Sequence, residues 1–356
     1  MTAIEKIIIK NIKSNGSLSL EEYLTIVLYH QKYGYYSKKN IIGKSGDFIT
    51  SPEISQVFGE LIASWIIFNS SNFFKNKFNF LELGPGRAVL IQDILRTIKS
   101  LNNKLYNNIE NIYFLEKSIE FKNYQKNIKK SKIISDIEEV EHKEFFALAN
   151  EFFDAIPVNQ YVKMGKFWYE KRVCLNKKNR LSFNLSNYPT KKNLPFPLTD
   201  KEGFVFEYST YTHLLLSDIF KRISSHGGVF LIIDYAKNKN FNNSTLSCIY
   251  KHTHVSPFFA PGLTDISIKP DFNFIKSLAL QYNCKVIGPL TQSSFLTKLG
   301  IELRFEQLIK SNPTLSFSLQ SSKKRLINKE YMGEIFKVLI ITNKKYKDLI
   351  FDNDYD

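Results

Sequence analysis

From Phe78 onward, short apolar runs rich in strand-forming residues alternate with stretches of helical period, and this alternation constrains the fold of the 356-residue chain more than any other feature. The order is FNFLEL, a helix from Ala88, NIYFLE, a helix from Ile119, KIIS, FFALANE, a helix from Tyr211, GVFLIID, a helix from Phe272, CKVIG and EIFKVLIIT. Strands that are apolar on both faces and separated by helices belong to a parallel sheet covered on both sides. The expected architecture is a doubly wound α/β fold.

Two stretches interrupt the alternation. QYVKMGKFWYEKRVCL, from Gln160, reads as a hairpin turning at Gly165, and Gln292 to Lys329 reads as several helices placed before the last strand. Ahead of the first glycine turn, SLEEYLTIVLYH has Ser19 as a cap, and SPEISQVFGELIASWIIF has Ser51 at the cap with Pro52 following. We therefore expect residues 1–75 to form an N-terminal helical segment with a lid-like loop. Residues 76–356 should form the Rossmann-like domain, with insertions at about 159–200 and 290–330.

Composition narrows the class. With 43% hydrophobic and 14% aromatic residues there is ample material for a core, and no apolar run approaches the roughly 20 residues a spanning helix needs. The amino terminus lacks the pattern of a signal peptide, so a cytoplasmic protein without membrane insertion is expected. Cys174, Cys248 and Cys284 form no CxxC pair, and His252 and His254 have no third ligand at useful spacing, so neither disulfide nor metal is expected. A net charge of +15 invites a nucleic-acid reading, but the lysines are scattered and no basic block carries stacking aromatics.

The turn LELGPGRA, between Leu81 and Ala88, lies where a doubly wound sheet binds its ligand, outside the carboxyl end of a strand. Gly84 and Gly86 allow close approach to the backbone, yet the GxGxxG spacing of a dinucleotide fold is missing. Glu82 chooses between ligands. A carboxylate there would repel a pyrophosphate by on the order of 1 to 4 kcal/mol at about 4 Å, whereas it suits the cationic S-adenosylmethionine. Glu116 ends the next strand, 32 residues after Gly84, in place for the ribose hydroxyls; Asp136 follows the third strand, where it would meet the adenine amino group. In GKSGDFITSPEIS, from Gly43, the glycines together with Asp47, Thr50 and Ser51 read as a lid over the ligand, with Gly46 and Asp47 touching the cofactor.

Methyl transfer from a sulfonium is an in-line displacement, so the acceptor must be clamped and unprotonated. NEFFDAIP places Asn150, Glu151 and Asp154 at the fourth strand end, and the two acids suit a guanidinium that is to be oriented and relieved of a proton. The adjacent prolines common in base-directed amino methyltransferases are missing there.

GYYSKKNIIGKSGDFITSPEISQVFGELIASW, LELGPGRAVLIQDILR, NEFFDAIPVNQ, GGVFLIIDYA, PGLTDIS, GPLTQSSFLTKLGIELR and MGEIFKVLIIT, spread in order from about Tyr23 to Thr342, resemble the MidA/NDUFAF7 (DUF185) family of S-adenosylmethionine-dependent methyltransferases. The resemblance implies a class I methyltransferase fold with an antiparallel last strand. It also implies protein arginine methylation, in the mitochondrial member on a respiratory complex I subunit. A protein substrate is the expected partner, and the assembly is open between a monomer and a homodimer. By motif, Glu82, Gly84 and Gly86 match the family's cofactor turn, and Asn150, Glu151 and Asp154 its acidic loop. Three departures stand out: Ala88 in place of a third glycine, Ala236 in place of glycine after IDY, and Lys269-Pro270 where the family commonly has His-Val. A non-catalytic assembly factor, a nicotinamide oxidoreductase and a methyltransferase acting on nucleic acid or a small molecule are the competing readings.

Overall fold

The structure is a computed structural model; it describes residues 1–37, 50–236, 243–347, 349 and 351. Contacts divide the chain into two compact units, one of residues 1–39, 154–213 and 237–269, the other of 40–153, 214–236 and 270–356.

The second unit holds the expected sheet. Its strands are β1 (Phe78–Leu83), β2 (Ile109–Leu115), β3 (Ser131–Ile134), β4 (Phe145–Asn150), β5 (Gly228–Tyr235), β6 (Cys284–Thr291) and β7 (Phe336–Asn343). They lie in the order β6-β7-β5-β4-β1-β2-β3. Every neighbouring pair from β5 to β3 is parallel, and β7 runs antiparallel to both β5 and β6. Every residue of β1 is buried, as a strand covered on both faces must be. Strand order reverses between β1 and β4, so the ends of those two strands flank the crevice.

Helix Val57–Phe73 covers one face, sending Trp65 (1% exposed) against Phe146 of β4 at 6.0 Å between ring centres. Burying an aromatic of that size contributes about 2 to 3 kcal/mol. The run expected to be one helix from Ser51 is broken. Thr50 is the N-cap, Ser51–Ile54 forms a single turn, and Ser55 is extended (φ −160°), which re-aims the chain before Val57. The stretch after β6 holds the expected helices Gln292–Lys298, Ile301–Ser311 and Ser316–Ile327, followed by the short Met332–Ile335.

The first unit is largely antiparallel. Strands Asn159–Met164 and Phe167–Leu175 make the expected hairpin through Gly165 (φ +55°), flanked by Val205–Tyr208 and Leu181–Leu185. Leu18 and Ser19 pair with Val173 and Arg172, which ties the N-terminal helices Ala3–Asn15 and Leu20–Tyr29 to this hairpin. That pairing explains why the division differs from the break expected near residue 75. Residues 1–39 group with the hairpin, and the helices from Ser51 group with the parallel sheet. Ser19 caps its helix in a reciprocal box with Glu22. All three cysteines are free thiols, and among the described residues no helix is long and apolar enough to cross a membrane.

Candidate active site

Strand β1 runs into a turn in which three of five residues are left-handed: Gly84 (φ +62°), Gly86 (φ +53°) and Ala88 (φ +58°). The Gly84 N–H donates to the Leu115 carbonyl at 3.0 Å, and the Ala88 N–H closes the turn on the Pro85 carbonyl at 2.7 Å. Helix Val89–Leu101 starts immediately afterwards, with Ala88 as its N-cap. Glycine takes such a conformation without strain; alanine pays about 1 to 2 kcal/mol. Restoring the glycine relieves that strain and loosens the unfolded chain, so Ala88→Gly is expected to raise stability by about 0.5 to 1 kcal/mol in urea denaturation. An unchanged or lower midpoint would contradict the strain at Ala88.

Gly84 is crowded as well as left-handed. A Cβ there would stand 2.6 Å from Cδ2 of Phe152, so the loop after β4 lies directly on the glycine turn.

Beneath the turn are two buried acids. Glu82, 3% exposed, has an Oε2 with no hydrogen-bond partner. Glu116 accepts from the Ser118 N–H at 2.8 Å, from the Gly86 N–H at 3.3 Å and from the Gln125 side chain at 3.3 Å. Gln125, fully buried, also donates to the Gly86 carbonyl at 2.9 Å, and its own Oε1 has no partner. Neither acid is locked to a lysine side chain by any bond described. Burial, and then the neighbouring Glu116 charge, push Glu82 up to about 8; Glu116 is also raised, by burial, against the hydrogen bonds that stabilise its charge. Burial thus favours the protonated form of Glu82, and a cation bound beside it would favour the carboxylate.

The raised Glu82 has a consequence for stability. Below its ordinary value of 4.5 the group is neutral whether the chain is folded or unfolded. Above that pH the unfolded chain gives up the proton while the folded one keeps it until about 8, so stability falls as pH rises through this window. The full loss is on the order of 5 kcal/mol at about 1.4 kcal/mol per pH unit. Urea denaturation at pH 5, 6.5 and 8 should show Glu82→Gln gaining on the wild type at each step; a constant difference would refute the buried acid.

The acidic loop begins where β4 ends. Glu151 is itself left-handed (φ +52°), and its N–H donates to the Ile233 carbonyl of β5 at 2.9 Å. Its Oε1 accepts from the Ser51 N–H at 3.0 Å and from the Asn150 side-chain amide at 3.2 Å, while the Asn150 Oδ1 is buried without a partner. The next two N–H groups, of Phe152 and Phe153, both donate to Oδ2 of Asp234 at the tip of β5, at 3.1 and 2.8 Å.

The structure thus gathers Glu82, Gly84, Gly86, Glu116, Asn150 and Glu151 in one unit. Asp154 belongs to the other, where its carbonyl accepts from the Ile268 N–H at 2.9 Å and its charge adds to the burial that raises the Tyr36 phenol. Asp136 is exposed, and its carboxylate caps its own turn by accepting from the Glu138 N–H at 2.9 Å. Gly46 and Asp47 lie outside the described residues. Sequence reasoning missed Gln125 and Asp234 as site residues; for Asp234 the one signal was an acid ending the apolar run GVFLIID.

Three buried acceptors without partners, on Glu82, Gln125 and Asn150, and a left-handed glycine turn fit a cationic nucleoside without phosphate, and Glu82, Gly84, Gly86 and Glu116 are the residues that would hold it. A fold and site of this kind define a class I S-adenosylmethionine-dependent methyltransferase. Residues 61–290 match a family described as "Putative S-adenosyl-L-methionine-dependent methyltransferase". The zebrafish "Protein arginine methyltransferase NDUFAF7, mitochondrial" is 31% identical, over 96% of this chain and 88% of its own. The human protein of that name is 31% identical over 91% and 80%. A crystal structure of a COG1565 superfamily member from Burkholderia thailandensis bound to S-adenosyl-homocysteine superimposes with a TM-score of 0.80, at 21% identity, over 97% of this chain and 93% of that one. The chain belongs to the MidA/NDUFAF7 family of methyltransferases.

Proposed function

We propose that the methyl acceptor is an arginine side chain of a protein, a subunit of respiratory complex I or a related protein being the acceptor the family resemblance suggests. The observation that carries this reading is the packing of the acidic loop on the cofactor turn, with Phe152 against Gly84 and Glu151 one residue before it. The relatives named above as arginine methyltransferases support it.

S-adenosylmethionine, when bound, supplies an electrophilic methyl on a sulfonium. A guanidinium is protonated at neutral pH and is a poor nucleophile until a proton leaves. Glu151 orients the guanidinium and accepts that proton as nitrogen attacks, with Asn150 and Ser51 fixing its carboxylate.

The test is incubation of the protein and tritiated S-adenosylmethionine with lysate from a strain deleted for its gene. Label is expected to survive nuclease, to be released by protease, and to appear as methylarginine in mass spectrometry. Label confined to nucleic acid, or to another residue type, would overturn the proposal.

A further inference from the structure

We propose that Asp234 is the positioning residue for the acceptor side of the reaction: it sets the loop that carries Glu151 by accepting two successive backbone N–H groups. This rests on the proposed role of Glu151.

A carboxylate at 0% exposure is an expensive thing to place at the tip of a strand that is otherwise Phe230, Leu231, Ile232 and Ile233. Nothing in sheet formation asks for it. What it does is satisfy N–H groups that would otherwise be orphaned: Phe152 at 3.1 Å and Phe153 at 2.8 Å on Oδ2, and Tyr235 at 2.8 Å on Oδ1. Those first two follow Glu151, whose left-handed backbone a glutamate does not adopt by preference. A residue in that state persists only where its surroundings over-determine it. Here the Ile233 carbonyl holds the Glu151 N–H, Asp234 holds the next two, and Ser51 holds the carboxylate. Phe152 is fixed by the same contacts against Gly84. Asp234 therefore sets the register of the acid and of the ring beside the cofactor turn, acting through the loop rather than on any reacting atom.

Asp234→Asn keeps one oxygen and the volume but loses the charge and one acceptor. It should fold and bind S-adenosylhomocysteine within about threefold of wild type in calorimetry. Initial rates of tritium transfer to protein in the deletion-strain lysate should fall about 10²-fold, the size expected from misplacing a catalytic group by about 1 Å. The decisive reading is the double variant. In a Glu151→Gln background, Asp234→Asn should add less than about threefold, because both changes disable one device. A loss that adds in full, or Asp234→Asn turning over normally beside a crippled Glu151→Gln, overturns the proposal while leaving the role of Glu151 intact. Normal turnover by Glu151→Gln removes that role and the proposal with it. Should Asp234→Asn not fold, Asp234→Glu keeps the charge one methylene out of place and should show the same rate loss and the same non-additivity. In the wild type, the Phe152 and Phe153 amides should exchange as slowly as those of β4; fast exchange overturns the clamp without any variant.

Discussion

Gly84→Val is expected to weaken S-adenosylhomocysteine binding by about 10²- to 10³-fold in titration calorimetry. Two costs combine. A β-branched residue at φ +62° is strained by about 1 to 2 kcal/mol, and its Cβ would start 2.6 Å from the Phe152 ring, an overlap of the kind that costs about 1 to 3 kcal/mol. Because the Gly84 N–H is tied to Leu115 and the turn is closed by Ala88, the backbone has little room to yield. The ring or the turn must move, and either displaces the surface on which the cofactor rests. Gly165 is the control: it is also left-handed, at φ +55°, but nothing lies within 4 Å of its added Cβ. Gly165→Ala should cost stability and leave affinity unchanged. Equal affinities for wild type and Gly84→Val would mean that the turn is not the cofactor site.

Glu151→Gln is expected to reduce turnover by about 10²- to 10⁴-fold, the range for loss of a general base, with S-adenosylhomocysteine affinity within about threefold of wild type. The substitution is nearly isosteric, and the amide oxygen can still accept from the Ser51 N–H. What is lost is the capacity to take a proton and to pair with a cationic guanidinium. Turnover and affinity therefore separate the chemistry from the scaffold. A variant that labels protein at the wild-type rate would remove Glu151 from the mechanism and leave the arginine reading without its base.

Local chemistry was readable and long-range chemistry was not. The alternation of strands and helices, the Ser19 capping box, the hairpin at Gly165 and the glycine turn each rest on residues a few positions apart, and each is present. The same holds for the acids that close β1 and β2, because a strand end is visible as the end of an apolar run. The contacts that assemble the site span far greater separations. Asp234 meets Phe152 across 82 residues, and Ser51 meets Glu151 across 100. No periodicity encodes such a pairing. Asp136 adds a local use that its spacing did not announce: the N–H groups of its own turn cap the carboxylate. How strongly burial disfavours the charge on Glu82 was hidden as well, since a sequence states that an acid is present but not how much solvent it keeps. The division of the chain was hidden because it depends on a two-residue strand, Leu18–Ser19, finding its partner about 155 positions later.

The place of β7 in the sheet bears on how the chain is made. It follows both β5 and β6 in the chain, yet it lies between them. While Gln292 to Ile335 are being added, which takes several seconds at about 5 to 20 residues per second, β5 and β6 have no central partner. Two rows of backbone donors and acceptors on strongly apolar strands then wait on the ribosome, the condition under which nascent chains stick to one another. A chain cut short before Phe336 should accordingly be insoluble rather than merely inactive.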